Sequence, residues 1–355
     1  MKERILKLLE QENVEAVLIS DGYNMRYLSG FCGATGYLYL SGKQQVLMTD
    51  SRYTTQAKKE APQFDVVEVS ASQGYPQWIA SCIQKDAVKS IGFENQQMIC
   101  AEFKKISSQV SEDVQWKEMG EKVNQMRCIK TDQEIEKIAR AEEIGDLAFQ
   151  RILGDIKPGV TELTIAAKLD YYMRELGAEG NSFDTIAASG LHSAMPHAIP
   201  SEKKLEQGDF LTMDFGCCYQ GYCSDMTRTV VLGKASDKQK EIYGIVLEAQ
   251  TAALEQIRAG KTGAEIDKVA RDIIAEAGYG DCFGHGLGHS TGLFIHEEPR
   301  LSPKCHTVLQ EQVTMTVEPG IYVPEFGGVR IEDLVVITEK GCWNLTHSPK
   351  ELIEL

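Results

Sequence analysis

Four acidic residues lie inside strand-like apolar segments in the second half of the chain: Asp214, Asp225, Glu318 and Glu332. They form two pairs that each flank a turn, so the carboxylates of a pair are expected almost opposite each other, with Cβ atoms about 4.5–5.5 Å apart. Two ionised carboxylates at this distance among apolar side chains repel each other and are poorly solvated. Either one carboxyl of each pair is protonated or a cation lies between them, and four such acids favour cation binding.

Histidines are grouped in nearby segments. Of the seven histidines in the chain, four lie in such segments: His197, His285, His289 and His296. His285 and His289 belong to FGHGLGH, in which three glycines disfavour a helix. In an extended segment, residues four apart share a face, so both imidazoles are expected to point into one site. A single histidine is more often a structural residue than a ligand, and here the grouping favours a site.

The candidate ligands predict a metal-activated hydrolase. Four carboxylates and one imidazole suit hard or borderline divalent ions such as Mn²⁺, Co²⁺ or Zn²⁺. This set is too large for one tetrahedral zinc, whereas two ions about 3.5–4 Å apart match both the number of ligands and their charge. The predicted chemistry is attack by a bridging hydroxide while the metals act as Lewis acids. A neighbouring histidine would stabilise the developing oxyanion or transfer a proton.

The motifs around these residues resemble those of the pita-bread metallopeptidases, and most closely the proline-specific branch, prolidase (Xaa-Pro dipeptidase) and aminopeptidase P. They are SDMTRT around Asp225, HGLGH ending at His289, HEEP starting at His296, VEPGIY at Glu318 and VRIED at Glu332. DGYNMRYLSGF and LMTDSRY extend the resemblance to the amino-terminal part of the chain. The resemblance implies a two-domain α/β protein, in which an α/β amino-terminal domain precedes a catalytic α+β domain with an internal pseudo-two-fold repeat.

The resemblance also implies five ligands for two divalent ions: Asp214, Asp225, His289, Glu318 and Glu332. Asp225 and Glu332 are expected to be shared by both ions, and Asp214 and Asp225 to bind through both carboxylate oxygens. His289 and Glu318 are expected on the second ion. Mn²⁺ is the expected metal, with Co²⁺ or Zn²⁺ as alternatives.

Further roles come from the same resemblance. Catalytic roles are implied for His197, His285, His296 and Glu318. Substrate binding is implied for His197, His296, Arg300 and Arg330. Arg300 falls where some prolidases hold the substrate carboxylate, and Arg330 resembles an arginine that lies near the metal carboxylates in the family.

The residues leave several functions open. An Xaa-Pro dipeptidase is favoured, since the short gap between Glu318 and Glu332 resembles compact prolidases, and an aminopeptidase P that acts on longer peptides is the alternative. Methionine aminopeptidase shares the fold but typically lacks the amino-terminal domain. A non-catalytic binding protein on the same scaffold would have lost metal ligands, and all five are present. Because an Xaa-Pro bond has no N–H, a peptidase for it must polarise the carbonyl and enclose the proline ring.

Two copies of a helix–helix–hairpin unit are predicted to position the acids. Segment 156–179 aligns with segment 257–280; each follows a long helix, turns at a glycine, restarts after a threonine and stops at another glycine. A strand pair carrying two carboxylates comes after each copy. The long helix before the first copy is predicted to start at the capping box of Thr131 and to run to about Leu153.

The chain is predicted to fold as two domains, an α/β domain of residues 1–124 and a catalytic domain of residues 125–355. Short apolar runs in the first domain predict strands, and the stretches between them predict helices. The predicted strands are Val14–Ser20, Gly36–Leu40, Gln45–Thr49 and Val66–Val69, and the predicted helices lie near Arg52–Lys59 and Tyr75–Ile83.

Charge and hydropathy exclude several classes of partner. The formal net charge of −15 argues against a protein that binds nucleic acid or an anionic membrane, because both need a basic face. No apolar run approaches the roughly 18 residues of a membrane span, and the first twenty residues predict a surface helix leading into a strand rather than a signal peptide. The expected partners are a proline-containing peptide and, by analogy with the family, a second copy of the chain.

Cysteine usage favours a cytoplasmic protein. The ten cysteines are scattered and include no C-x-x-C pair, so reduced thiols are expected. Cys217, Cys218 and Cys223 lie close to Asp214 and Asp225, which raises the alternative of a metal-binding role. Small apolar residues in a buried hairpin are the favoured interpretation of these three.

Overall fold

The structure, a computed structural model, describes residues 2–355. It divides into two compact units, Met1–Arg127 and Cys128–Leu355. None of the helices within residues 2–355 combines the length and the apolar character that a bilayer-spanning helix needs.

The first unit is built on one six-stranded mixed sheet. Its elements are α1 Lys2–Gln11, β1 Ala16–Ile19, α2 Gly22–Ser29, β2 Tyr37–Ser41, β3 Gln45–Thr49, α3 Thr54–Glu60, β4 Asp65–Glu68, α4 Tyr75–Asp86, β5 Ser90–Phe93, α5 Cys100–Ser107 and β6 Gln115–Glu118. The strand order is β4-β3-β2-β1-β5-β6, with β2 antiparallel to both of its neighbours and the other pairs parallel. Alternate residues of β1 pack on opposite faces: Val17 and Ile19 with α1 to α3, Ala16 and Leu18 with α4 and α5.

The predicted elements of this unit are present, with ends that differ by a few residues. The four predicted strands are β1 to β4, and the two predicted helices are α3 and α4. Strands β5 and β6 were not predicted. β5 has only four residues and includes Gly92, where a Cβ would lie 2.4 Å from Met119 Sδ, and β6 has Trp116 as its one apolar residue. Neither strand therefore carries the alternating apolar pattern that a sequence-based assignment needs.

The second unit contains two helix pairs and a set of short sheets. Its elements are α6 Asp132–Ile152, α7 Glu162–Glu175, β7 Gly180–Asn181, β8 Ile186–Ser189, β9 Phe210–Phe215, β10 Cys217–Tyr219, β11 Tyr222–Cys223, β12 Met226–Val231, α8 Asp237–Gln256, α9 Gly263–Glu276, β13 Gly288–Ser290, β14 Glu297–Leu301, β15 Thr314–Val317, β16 Gly320–Val323, β17 Gly327–Arg330, β18 Asp333–Ile337 and β19 Cys342–Asn344. One core joins α6 and α7 to β9 and β12, and another joins α8 and α9 to β15 to β18.

The predicted internal repeat is confirmed in its helices. α7 and α9 begin after the N-cap residues Thr161 and Thr262, whose side chains accept a backbone N–H of the first turn. Both helices end just before a glycine with positive φ, 108° at Gly177 and 87° at Gly278. The long first helix is α6, which starts after the capping box of Thr131. Each helix pair packs beneath its own strands. Asp214 lies in β9, whereas the other three acids lie in the short breaks between consecutive strands.

Candidate metal centre

The first strand pair holds its two aspartates on a diagonal. Asp214 pairs with Thr227 in the β9–β12 ladder, and the same register places Asp225 opposite Gly216. The expectation that the two carboxylates lie almost opposite each other is therefore wrong by two residues. The register is set by the two-residue turn Gln220–Gly221, whose φ angles of 47° and 83° match a type I′ hairpin turn.

The second strand pair places its glutamates opposite each other, as predicted. Val317 pairs with Asp333 at the end of the β15–β18 ladder, and the β16–β17 ladder continues the same register beyond it. Glu318 and Glu332 occupy the facing positions between the two ladders. Two hairpins with equivalent roles in the repeat thus deliver their acids with different registers.

A bridge between the two strand pairs brings the acids together. Thr227 pairs with Glu332, and the Thr227 hydroxyl donates to Glu332 Oε2 at 2.7 Å. As a result, carboxylate oxygens of Asp214, Asp225 and Glu332 all lie within 4.8 Å of one another. The backbone N–H of Asp225 is held at 3.2 Å by the carboxylate of Glu142, which is fully buried on α6. The long helix α6 therefore directly supports the backbone of the segment that carries Asp225.

His289 connects this group to the fourth acid. Its Nε2 lies 3.4 Å from Asp225 Oδ2 and 3.5 Å from Glu318 Oε1. Its Nδ1 lies 3.0 Å from the carbonyl oxygen of Ser290, so Nδ1–H is the donor and Nε2 faces the two carboxylates. A lone pair directed at anionic oxygens is unfavourable unless a proton or a cation lies between them.

The electrostatics of the group fit a divalent cation. Asp214 Oδ1 and Glu332 Oε1 are buried without a hydrogen-bond partner, although buried polar atoms normally have one. Burial, followed by repulsion from neighbouring carboxylates, raises the pKa of Asp225 and of Glu332 well above their ordinary values. Burial raises the pKa of Glu318 to about 7. Clustered carboxylate oxygens and one imidazole are the donors that Mn²⁺, Co²⁺ and Zn²⁺ accept, so these residues fit such an ion.

A buried hydrogen-bond network extends from the carboxylates to His285. Arg330 Nη2 donates to Asp214 Oδ2 at 2.6 Å, and its Nη1 donates to the Tyr322 hydroxyl at 2.7 Å. That hydroxyl lies 2.9 Å from His285 Nε2, and His285 Nδ1 lies 2.8 Å from the Gly286 carbonyl. Nδ1–H therefore donates to Gly286, and Tyr322 donates to Nε2. Burial, reinforced by the charge of Arg330, lowers the pKa of His285 to about 4, so this imidazole is neutral near pH 7.

One cavity of about 560 Å³ contains the whole arrangement. All ten predicted site residues line it: His197, Asp214, Asp225, His285, His289, His296, Arg300, Glu318, Arg330 and Glu332. The ring of His296 packs edge-on against that of His289 at a centroid distance of 4.6 Å. The tertiary structure thus brings together residues that lie up to 135 positions apart (332 − 197 = 135).

Sequence reasoning missed two groups of residues, one that lines this cavity and one that lies behind it. Its apolar wall is lined by Phe183, Ile186, Pro196, Ile199, Pro200 and Leu301. These are ordinary apolar residues of β8, of the segments before and after it and of β14, and no local pattern marks them. Tyr322, which links Arg330 to His285, is the last residue of the VEPGIY motif and could have been found there.

The cysteines near the site are thiols. The ten cysteines form no disulfide among the described residues, and Cys218 Sγ lies 3.7 Å from Cys223 Sγ across the hairpin. Burial raises the pKa of Cys217 to about 12. The metal-capable group found within residues 2–355 consists of Asp214, Asp225 and Glu332. Cys217 and Cys223 are buried in strands β10 and β11, which agrees with the interpretation of these cysteines as hairpin residues.

Comparison with known proteins identifies two family models in the chain. Metallopeptidase family M24 matches residues 136–339, and the Creatinase/Prolidase N-terminal domain matches residues 2–129. The Xaa-Pro dipeptidase of Pyrococcus horikoshii is 40% identical over 354 residues, which are 99% of this chain and 98% of that protein.

Solved structures give the same result. The Xaa-Pro dipeptidase from Bacillus anthracis superposes with a TM-score of 0.96 at 42% identity, covering 100% of this chain and 99% of the other. The X-Pro aminopeptidase from Thermotoga maritima superposes with a TM-score of 0.92, also at 42% identity, covering 98% and 100%. The fold is therefore the pita-bread fold that the motifs implied. The chain belongs to metallopeptidase family M24, preceded by a Creatinase/Prolidase N-terminal domain, and is a metal-dependent peptidase.

Proposed function

We propose that this protein is an Xaa-Pro dipeptidase with a centre of two divalent ions. The observation that carries the proposal is the single cavity in which carboxylates and His289 meet an apolar wall and the guanidinium of Arg300. An apolar wall suits a proline ring, and an arginine suits the free carboxylate that follows proline in a dipeptide. The similarity to the Xaa-Pro dipeptidases of Pyrococcus horikoshii and Bacillus anthracis supports the same substrate class.

The proposed ligands are Asp214, Asp225, His289, Glu318 and Glu332. When bound, divalent ions polarise the scissile carbonyl and lower the pKa of a water to supply a nucleophile. The Nδ1–H of His289 is donated to Ser290, which keeps Nε2 available as a ligand atom. Three carboxyl oxygens already lie within 4.8 Å of one another, which supports ligands shared between ions.

The other cavity residues are proposed to bind and orient the peptide. His197 and His296 hydrogen-bond the substrate and handle protons, and Glu318 transfers a proton between water and the leaving amine. Arg330 holds Asp214 through a buried ion pair in which its side chain is 4% exposed. His285 acts through Tyr322, because its Nε2 is engaged by that hydroxyl.

Arg300 is proposed to decide between dipeptides and longer peptides. Its Nε donates to Glu298 at 3.2 Å and its Nη2 to the His296 carbonyl at 3.3 Å, which hold the guanidinium at the cavity margin. Its side chain is 36% exposed, so a substrate carboxylate can reach it. The aminopeptidase alternative is supported by the similarity to the Thermotoga maritima X-Pro aminopeptidase.

A substrate comparison tests the proposal. Metal-depleted protein is supplied with Mn²⁺, Co²⁺ or Zn²⁺ and assayed on an Xaa-Pro dipeptide and on an Xaa-Pro-Yaa-Yaa tetrapeptide. We expect metal-dependent cleavage of the dipeptide. Cleavage of the tetrapeptide alone would favour the aminopeptidase, and no metal-dependent cleavage of either would contradict both functions. Arg300→Met is expected to raise the KM for the dipeptide about tenfold, the value of one charge-assisted hydrogen bond, whereas Arg258→Met outside the cavity leaves it unchanged.

Tyr322→Phe tests the network behind the ligands. It removes the hydroxyl that joins Arg330 to His285 and keeps the buried ring, so we expect kcat/KM to fall by about ten- to a hundredfold with little change in metal content. Tyr243→Phe is the matched control, because it removes a hydroxyl that donates to the Lys350 carbonyl at 2.8 Å from an equally buried ring. Equal losses in the two variants, or none in Tyr322→Phe, would contradict the assigned role.

The metal, the location and the oligomeric state are also proposed. Mn²⁺ is proposed as the metal, with Co²⁺ or Zn²⁺ as alternatives, because the donors are mostly carboxylates. A cytoplasmic location is supported by the ten cysteines, which are thiols and not disulfides among the described residues. A homodimer is proposed by analogy with the family, and sedimentation of the intact protein would test it.

A further inference from the structure

A buried lysine lies beside the proposed metal centre. The side chain of Lys130 is 2% exposed and pairs with Glu297, which is 4% exposed, at 3.1 Å. Its ammonium also donates to Ser290 Oγ at 3.0 Å and to the Cys128 carbonyl at 3.3 Å. A charge buried this deeply is costly unless it is paired and hydrogen-bonded, so every contact of the ammonium group contributes to keeping it there.

The two side-chain partners of Lys130 each lie next to a histidine of the proposed site. Ser290 directly follows His289, and Glu297 directly follows His296. Ser290 and Glu297 face each other at the end of the β13–β14 ladder, just after a register shift. Lys130 therefore spans the base of the loop 291–296.

Glu297 also shapes the inside of this loop. Its Oε1 accepts the backbone N–H of Phe294 at 3.2 Å. A Cβ at Gly292 would lie 2.6 Å from Glu297 Oε2, so glycine is needed where the loop backbone passes the carboxylate. The carboxylate thus contacts the loop from within, while Lys130 neutralises it.

The position of Lys130 is defined by its own backbone. Its N–H donates to the Gln312 carbonyl at 3.0 Å, and the capping box of Thr131 begins α6 at the next residue. Ser290, in turn, supplies the carbonyl that accepts Nδ1–H of His289. A continuous set of contacts therefore links the start of α6 to Ser290, whose carbonyl fixes the tautomer of His289.

We propose that the Lys130–Glu297 pair is a positioning device that holds His289 for metal binding and His296 for substrate binding, through Ser290 and the loop 291–296. This rests on the proposed metal centre. Lys130 contacts neither substrate nor metal in this role; it keeps Nε2 of His289 directed at Asp225 and Glu318. Removing contacts behind a histidine ligand typically lowers metal affinity about 10–100-fold.

The competing explanation is that the Lys130–Glu297 pair stabilises the fold without positioning the histidines. A double variant that lacks both charges distinguishes this explanation from the proposal. Lys130→Met leaves Glu297 buried without its cation, so it is expected to lower both Tm and Co²⁺ affinity. Lys130→Met/Glu297→Met removes both charges, and replacing a buried pair by apolar residues commonly restores stability. We expect its Tm to return close to that of the wild type while its Co²⁺ affinity stays about 10–100-fold weaker.

The measurement is a Co²⁺ titration of the metal-depleted full-length protein, followed by visible absorption and calorimetry, with Tm recorded in parallel. Recovery of wild-type Co²⁺ affinity in the double variant would overturn the proposal. Ile165→Ala, in the fully buried core of α7, controls for stability alone; if it weakened Co²⁺ binding as much as Lys130→Met does, the proposal would also fail.

Two further outcomes are separated by the same titration. Failure of the wild-type protein to bind Co²⁺ would contradict the proposed metal centre itself. If neither Lys130 variant folds, Ser290→Ala takes their place, since it keeps both charges and removes only the hydroxyl between Lys130 and the ligand segment. A Co²⁺ affinity about tenfold weaker in Ser290→Ala supports the positioning role, and an unchanged affinity overturns it.

Discussion

Asp225→Asn is expected to abolish metal-dependent peptide cleavage. Asp225 has oxygens close to Asp214, to Glu332 and to His289 Nε2, so it lies beside three of the four other proposed ligands. The amide removes the anionic charge and one ligand oxygen from this position. Because bound metals supply several kcal/mol of transition-state stabilisation, we expect kcat/KM to fall by about 10³-fold or more. Steady-state kinetics and metal analysis of the purified variant measure the two losses.

The same substitution is expected to stabilise the metal-free protein. Burial and the charge of Asp214 raise the pKa of Asp225, which means that its ionised form is destabilised in the folded state. Asparagine has no charge to repel, and the backbone N–H bond to Glu142 remains. Asp214→Asn is the control: it also removes a ligand but takes the anion away from Arg330, so its metal-free Tm should fall. A metal-free Asp225→Asn protein less stable than the wild type would contradict this account.

The stabilisation provided by metal is expected to increase with pH. The ligand carboxyls Asp225, Glu318 and Glu332 have raised pKa values in the metal-free protein, about 7 for Glu318. Between the unfolded value near 4 and these folded values, the folded state holds more protons than the unfolded state. The free energy of unfolding of the metal-free protein therefore falls as pH rises through this window, by up to about 1.4 kcal/mol per pH unit and group.

Two histidines act in the opposite direction. Burial lowers the pKa of His285, and partial burial together with His289 lowers that of His296, so in the unfolded chain both bind protons that the folded state does not. The contribution of these two histidines to the free energy of unfolding rises with pH up to about 6.5 and is constant above it. Because it is present with and without metal, it cancels when the two forms are compared.

Calorimetry with Mn²⁺ and with a chelator at pH 5, 6, 7 and 8 measures this difference. Metal must displace protons from the ligands, so the increase in Tm on metal binding should be small at pH 5 and large at pH 8. A free Mn²⁺ concentration of a thousand times the Kd would stabilise the folded protein by about 4.1 kcal/mol. Asp225→Asn should show little increase at any pH. A metal-induced increase that is independent of pH in the wild type would contradict the raised carboxyl pKa values.

The helices of the second unit followed from local patterns. Thr131 and Thr262 begin their helices as capping boxes, and the repeat was readable because each amphipathic helix stops at a glycine in the same place. In the first unit, strands β5 and β6 were not predicted, because short or polar strands carry little periodicity and are stabilised by their neighbours in the sheet. Secondary structure is predictable where the local pattern is strong, and it depends on tertiary contacts where the pattern is weak.

For the site, the sequence by itself determined ten charged and imidazole side chains of the cavity. Acids in apolar segments are costly unless they are neutralised, and the family motifs identified the histidines and arginines around them. The residues of the apolar wall were not determined in this way. All ten predicted site residues line one cavity. Only the tertiary structure decided how they meet. The turn Gln220–Gly221 sets a diagonal register for the two aspartates. The Thr227–Glu332 bridge joins the two strand pairs that carry the acids. Lys130 pairs with Glu297, which is far from it in the sequence. Such contacts depend on register and on long-range packing, which residue types and spacing along the chain do not specify.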